Sequence, residues 1–369
     1  MIVKEGLVEL KISKPLDKKS FYNPAMHFDR DLMILFLRTL KKKNLKACDS
    51  LAACGARGIR IVKEVEDVDE VWLNDISKDA LSFAKENVRL NKVEDKVKIS
   101  REDAAVFLSA NKRKFDYIDI DPFGSPIYYF DGCARAIKRE GYIGFSATDK
   151  STLCGVKPIT CLRRYGIFCF RTEFEHEVGI RNILAATALT FSRYMFGFLP
   201  IFSYNKIHYY RVYGYLKKSR SFANKILEEN IGILNYCPYC LEREFSKEFL
   251  ERCKHCGEKY KHIFPTWIGK LGDSDFVKRM EKKLEKIDWF KFKDEITGLL
   301  RVLKDEFEIK KPYFNTHKIA KVHKVRAIRI DKLVEKLKKN GFKASRTHFL
   351  GFGIKTNADI GDLLNLFKN

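Results

Sequence analysis

From about residue 45 to residue 150, short β-branched and aromatic runs alternate with stretches of helical period. LKACDSL is followed by GIRIVKEV, DEVWLND by SKDALSFAKENVRL, KVKIS by EDAAVFLSA, FDYIDID by SPIYYFDGCARAIKRE, and the series closes on GYIGFSAT. A strand that crosses over through a helix to a parallel neighbour needs this spacing. The order therefore predicts an α/β, Rossmann-like parallel sheet with helices on both faces. Ligands of such sheets bind outside the carboxyl ends of the strands, at the point where strand order reverses.

The first strand ends in DSLAACGARGIR, residues 49–60, where Ala52, Ala53, Gly55, Ala56 and Gly58 keep the turn small. A ligand can press there against backbone N–H groups at the start of the next helix. The loop has neither GxxxxGK[ST] nor a true GxGxxG, which argues against a nucleoside triphosphate and weakens a dinucleotide. The second strand ends at Asp75, about 20 residues further on, where a carboxylate can accept both hydroxyls of a ribose. Asp103 follows the third strand. Its carboxylate, with the N–H of Ala104, can pair with the amino and ring nitrogens of an adenine. Each of these acids alone reads more readily as a helix N-cap than as a ligand. Together, with no pyrophosphate cradle, they describe S-adenosylmethionine better than NAD and predict a methyltransferase.

The fourth strand runs into DIDPFGSP, residues 119–126. An exocyclic amine on a base is planar and a poor nucleophile, because its lone pair is drained into the ring. Two acceptors on its hydrogens turn the lone pair toward a methyl donor. Asp121 would supply one and the Pro122 carbonyl the other, with Asp121 also able to take up a proton as charge develops. Phe123 would stack on the base, and Gly124 leaves room for the ring. A plain strand-to-loop turn is the alternative. A pyrimidine C5 mechanism would need a cysteine nucleophile, which DPFG lacks. Thr148 and Asp149, after the fifth strand, fall on the same edge.

Four of the ten cysteines form CPYC, residues 237–240, and CKHCG, residues 253–257. Two CxxC knuckles across a short polar connector are the pattern of a structural zinc ribbon, so Cys237, Cys240, Cys253 and Cys256 are the expected ligands of Zn2+. Gly257 suits the knuckle turn, and His255 and His262 are expected at the surface. The other six cysteines sit singly in apolar surroundings, as buried thiols do.

Among 369 residues, 71 Lys and Arg outnumber 48 Asp and Glu, a formal net charge of +23. Such an excess points to a polyanionic partner, RNA above all; a lysine-rich solubility surface is the alternative. No apolar run approaches the roughly 18 residues of a membrane span, and the opening MIVKEGLVEL lacks the order of a signal peptide. A soluble, cytoplasmic protein with no obligate protein partner is expected. The length calls for more than one domain: residues 1–235 as methyltransferase domain with an N-terminal extension, 236–265 as zinc ribbon, and 266–369 as an α+β C-terminal domain that binds RNA. EHEVGIRNILAATALTFSRYMF reads as an amphipathic helix and LPIFSYNKIHYYRVYGYLKK as a two-stranded hairpin. The aromatics and bases of KIHYYRVYGYLKKSR read equally as a stacking surface for RNA and as sheet packing. HKIAKVHKVRAIRIDKLVEKLKKN is a basic, helical candidate for RNA docking.

FYNPAMHFDRD (residues 21–31), CGARGIR, DIDPFGSP, ATDKSTLCG and ASRTHF (residues 344–349) resemble the tRNA (guanine-26-N2)-dimethyltransferase family over nearly the whole chain. The resemblance implies methylation, once and then twice, of N2 of guanine 26 in tRNA by S-adenosyl-L-methionine. It implies that Arg30, Arg57, Asp75, Asp103 and Ala104 touch the cofactor, that Asp121 and Phe123 hold the guanine, and that Phe21 closes its other face. From the residues alone, Phe21 reads more simply as core, and Arg30, at the start of the apolar run LMILFL, suits a carboxylate clamp. The family commonly has Asn where this chain has Asp29, and the four-cysteine cluster occurs in only some members. Two other functions fit the same strand ends: an adenine N6-methyltransferase on nucleic acid, and a non-catalytic, zinc-containing RNA-binding protein.

Overall fold

The computed structural model describes residues 1–13 and 21–368. An antiparallel hairpin, β1 (Ile2–Glu5) and β2 (Val8–Lys11), precedes helix α1 (His27–Leu40). The expected alternation follows as β3 (Leu45–Asp49), α2 (Ala56–Glu64), β4 (Val68–Asn74), α3 (Lys78–Leu90), β5 (Val97–Ser100), α4 (Ala104–Ala110), β6 (Phe115–Ile120), α5 (Phe130–Ala136) and β7 (Ile137–Ala147). An insertion with α6 (Lys150–Leu153) and α7 (Pro158–Tyr165) leads to α8 (Glu175–Ser192) and the hairpin β8 (Phe196–Lys206) and β9 (Tyr209–Lys218).

Strands β3 to β9 form one seven-stranded sheet in the order β5-β4-β3-β6-β7-β9-β8. β3 to β7 are parallel, β9 is antiparallel to β7, and β8 is antiparallel to β9. Chain order reverses between β3 and β6, so the loops after these two strands face one crevice. All six residues of β6 are buried, as befits a central parallel strand covered on both faces.

Tertiary contacts correct two local expectations and decide a third reading that the sequence left open. The helix drawn through SPIYYFDGCARAIKRE stops at Ala136, because Ile137 pairs with Phe115 and Glu140 with Lys217, which pulls IKRE into β7. Helix α8 is not amphipathic: Glu177 to Phe191 is buried save Leu189, since β8 covers one side and a strand of the ribbon the other. Tyr209, Tyr210, Val212 and Tyr213 are buried in β9, so those aromatics pack the sheet and present no stacking surface.

The remaining chain adds α9 (Arg220–Asn230) and an antiparallel sheet of β10 (Ile231–Tyr236), β11 (Arg243–Ser246) and β12 (Lys261–Trp267), with β10 central. Then come α10 (Ser274–Leu284), α11 (Lys293–Glu306), β13 (Phe314–Asn315), α12 (Thr316–His323), α13 (Ile330–Lys339), β14 (Ala344–Arg346), β15 (Gly353–Thr356) and α14 (Ile360–Lys368); the three short strands pair in the order β13-β15-β14. Helix α13 ends where Gly341 takes φ of +82°, the left-handed stop expected there. One continuous apolar core runs from Val8 to Phe367. Polar joints reinforce it. Arg181 of α8 donates to the carbonyls of Trp267 (2.8 Å) and Gly269 (3.1 Å). His348 of the ASRTHF stretch donates from Nδ1 to Glu306 (2.8 Å) and accepts at Nε2 from the backbone of Asn205 in β8 (3.0 Å). Among the described residues, no helix is long and apolar enough to cross a membrane.

The N-terminal hairpin is held by a charge. Glu5 is fully buried and accepts from Arg30 (2.5 and 2.6 Å), Arg60 (3.0 Å) and the Tyr22 hydroxyl (2.8 Å). Burial alone would raise its carboxyl, but Arg30 and Arg60 outweigh that and hold it far below the usual range. A depressed acid stabilises the fold above its unfolded pKa and loses that contribution as pH falls. Glu5→Gln should therefore cost about 3 kcal/mol at pH 7, read from denaturant midpoints, and the gap from wild type should shrink as pH is lowered below about 5.

Candidate active site

The turn after β3 is built for close packing. Ala53 and Gly55 take positive φ, +48° and +79°. A Cβ on Gly58 would lie 2.1 Å from Leu73 Cδ2, so α2 reaches β4 only with glycine there. Asp75, just past β4, accepts from the N–H of Ala53 (2.8 Å) and of Ser77 (2.9 Å), tying the first turn to the second strand end. Beside it Ile76 stands 65% exposed. Asp103 caps α4, its Oδ1 accepting from Ala105 (2.9 Å) and Val106 (3.1 Å), so the capping role is realised. Ala104 is buried at the helix start, and Val106 is exposed on the same rim.

The end of β6 carries the strongest electrostatics. Arg57 of α2, buried, ion-pairs with Asp121 (Nη2–Oδ2, 2.5 Å), Asp29 (Nη2–Oδ2, 2.9 Å) and Asp119 (Nε–Oδ1, 3.2 Å). Arg211 of β9 contacts Asp119, Asp29 (3.3 Å) and Ser146 Oγ (3.1 Å). Tyr204 donates to Asp29 (2.6 Å), and Tyr117 to Asp119. Burial would raise the Asp121 carboxyl, yet Arg57 and Arg211 prevail and lower it. Asp121 is thus an ionised acceptor, better suited to gripping N–H groups than to storing a proton.

The DPFG loop leaves this cluster toward solvent. Pro122 is buried, while Phe123 is 93% exposed, the most exposed aromatic ring of the rim. Gly124 takes φ of +91° with open space where a Cβ would be. Its N–H donates to Thr148 Oγ1 (2.7 Å) and its carbonyl accepts from the Thr148 N–H (2.9 Å), which places Thr148 on this edge as expected. Asp149 is also there, ion-paired with Arg164 (2.5 Å). Phe21, at φ of +48°, is 49% exposed.

The structure brings Asp121 and Arg57 into direct contact and sets Asp75, Asp103 and Ala104 along the neighbouring strand ends. Arg30 belongs to a separate ion cluster, where its Nε and Nη2 are held by Glu5. Sequence reasoning missed Asp29, Asp119, Arg211 and Tyr204 as members of the ion cluster that holds Arg57 against Asp121. A signal existed: a charge inside a wholly apolar strand, such as Asp119 in FDYIDI or Arg211 in YYRVYGY, requires a buried counter-charge.

Asp49 adds a fourth carboxylate to the two guanidiniums. It is 2% exposed and accepts from the Gly58 N–H (3.2 Å). Burial pushes its carboxyl up to about 7, opposed by Arg57 and assisted by Asp119 and Asp121. A raised acid favours the folded state below its unfolded pKa and loses that advantage as pH climbs to the folded value. Asp49→Asn should therefore be more stable than wild type at pH 8, by up to about 4 kcal/mol, with the difference closing below about pH 4; thermal unfolding across that range measures it.

The second candidate centre lies in the ribbon. The sulfurs of Cys237, Cys240, Cys253 and Cys256 all lie within 4.8 Å of one another. Both knuckles close alike: Leu241 N–H donates to the Cys237 carbonyl (2.9 Å) and Gly257 N–H to the Cys253 carbonyl (2.8 Å), with φ of +70° at Leu241 and +77° at Gly257. His262 bonds Asn235 (2.8 Å) and stands outside the cluster.

Comparison with known proteins fits this geometry. The family model described as N2,N2-dimethylguanosine tRNA methyltransferase matches residues 4–368. The tRNA (guanine(26)-N(2))-dimethyltransferase of Methanobrevibacter smithii is 35% identical, over 99% of this chain and 96% of its own. The tRNA (guanine(26)-N(2)/guanine(27)-N(2))-dimethyltransferase of Aquifex aeolicus is 34% identical, over 98% of this chain and 94% of its own. The structure of Trm1 from Pyrococcus horikoshii with S-adenosyl-L-methionine is similar at a TM-score of 0.90 and 33% identity, covering 99% of both chains. The chain, with its reversed-order sheet and its charged DPF strand end, belongs to the N2,N2-dimethylguanosine tRNA methyltransferase family.

Proposed function

We propose that this chain methylates the exocyclic N2 of guanine 26 in tRNA, forming N2-methyl- and then N2,N2-dimethylguanosine, with S-adenosyl-L-methionine as donor. The observation that carries the reading is Asp121, ionised between Arg57 and solvent at the switch point of the sheet, one residue before Pro122 and two before an almost fully exposed Phe123. A carboxylate and the neighbouring Pro122 carbonyl suit the two hydrogens of an aromatic amine. Phe123, which nothing in the described chain covers, suits the face of the base, and Phe21 its other face.

The cofactor side fits as well. Ile76 and Val106 are apolar yet exposed, beside Asp75 and Asp103, as side chains flanking a flat ring would be. We assign Asp75 to the ribose hydroxyls, and Asp103 with the Ala104 N–H to the adenine edge. Asp103 keeps acceptor capacity after its cap, since an ionised carboxylate offers about four lone-pair sites. Arg30 and Arg57, ordered by Glu5 and by the aspartates, are assigned to the methionine end. When bound, S-adenosylmethionine supplies an electrophilic methyl group. The protein's part is to hold the amine's hydrogens on acceptors so that its lone pair is aimed, and to fix those acceptors in place.

Asp121→Ala should leave S-adenosylmethionine binding near wild type by calorimetry. Methylated guanosine in treated tRNA should fall at least about 100-fold by nucleoside mass spectrometry. Full activity in that variant, or methylated adenosine in place of guanosine, would remove the proposed chemistry.

For the ribbon we propose one structural Zn2+ on Cys237, Cys240, Cys253 and Cys256, whose four thiolates leave no open position. Purified protein should contain about one zinc per chain by elemental analysis. Cys240→Ala should lose it and unfold at lower temperature, because metal binding here is folding free energy.

A further inference from the structure

The segment between Asp149 and Glu173 belongs neither to the sheet nor to the ribbon, and its composition is one-sided: Lys150, Lys157, Arg163, Arg164 and Arg171, with no acid. It also leaves large apolar groups in water, Ile159 at 75% and Phe168 at 62% exposure.

Both ends of the segment are anchored. At the catalytic end, besides the Gly124–Thr148 pairing, the Tyr165 hydroxyl lies 2.5 Å from Ser125 Oγ and 2.8 Å from Asp149 Oδ2. At the other end, Phe168 and Phe264 of β12 exchange both backbone hydrogen bonds, 2.8 and 3.1 Å. Phe249 sets its ring edge-on to Phe264, 5.5 Å between centroids. Phe168, Phe249 and Phe264 therefore straddle the joint between the segment and the ribbon, all facing solvent. Lys157, Arg163 and Lys261 are exposed on the two elements that meet there.

Exposed aromatic rings grouped this way mark an interaction surface. Rings interleaved with bases and without acids on the connecting segment match a polyanion that also offers flat, apolar faces. Unpaired nucleotides have both properties; a paired helix hides its faces. We propose that this surface binds unpaired nucleotides of the tRNA near the target guanine, with Phe168 and Phe249 stacking on bases and Lys157, Arg163 and Lys261 tracking phosphates. The inference rests on the tRNA substrate proposed above and adds where on the chain that substrate docks.

The test is the double variant F168A/F249A in the full-length, zinc-loaded protein. Its Kd for unmodified tRNA should rise about tenfold, while its affinity for S-adenosylmethionine and its zinc content stay at wild-type values. F168Y/F249Y, which keeps the stacking faces, should bind tRNA like wild type. An unchanged tRNA Kd in F168A/F249A overturns the proposal, as does equal loss in the tyrosine pair, which would assign these rings to packing. A wild-type dimer that becomes monomeric in F168A/F249A overturns it too, by making a second copy of the chain the occupant. Absence of any guanosine methylation by the wild type would instead strike the functional reading itself.

Discussion

Two guanidiniums hold the centre of this protein. Arg57 comes from the helix after the small-residue turn and Arg211 from the last strand to enter the sheet, and between them they ion-pair with Asp29, Asp119 and Asp121. Such a buried lattice is not a cheap source of stability, because desolvation consumes most of the Coulombic gain. What it supplies is position. Asp121 sits at the last point before the chain turns to solvent, and its oxygen is fixed by a fork that is itself fixed by two other carboxylates. In the proposed role, an acceptor held that way would need no rearrangement when an amine arrives, which is the condition for electrostatic preorganisation.

The same logic joins the separate parts of the chain. Glu5 ties the N-terminal hairpin to α1 and α2 through Arg30 and Arg60. Glu177 of α8 accepts from Lys355 (2.7 Å) and from the backbone of Tyr313 (3.0 Å), joining the methyltransferase sheet to the C-terminal strands. His348 links Glu306 to β8. In each case a fully buried acid is satisfied by groups from distant sequence, so removing Glu5 or Glu177 would strand cations in the core and removing Glu306 would leave buried donors unpaired. The segment from Thr148 to Phe170 extends this coupling from the DPFG loop to the ribbon, since it bonds Gly124 at one end and Phe264 at the other.

Much of this was legible in the chain itself. The strand and helix alternation, the small-residue turn, the acids at successive strand ends, the DPFG stretch and the paired CxxC knuckles are local patterns whose physics acts within a few residues. The structure keeps them: β3 to β6 and the helices between them fall where the periodicity placed them, and four sulfurs converge from knuckles spaced for that purpose. Family membership rests on similar ground, because the motifs that resemble the family extend over nearly the whole chain, and the matching family model covers residues 4–368.

Short-range spacing was enough to set the fold class, the strand ends with their acids and DPFG stretch, and the convergence of four cysteines. Tertiary structure set what surrounds them. It turned IKRE into strand through pairing with β6 and β9, buried α8 on all sides, and sank the tyrosines of β9 into the sheet. It also chose the partners: Arg57 with Asp121, Arg30 with Glu5, Arg211 with Asp119. The physical reason is that periodicity is a property of neighbours in sequence, whereas burial and counter-charge depend on which distant elements the fold brings together.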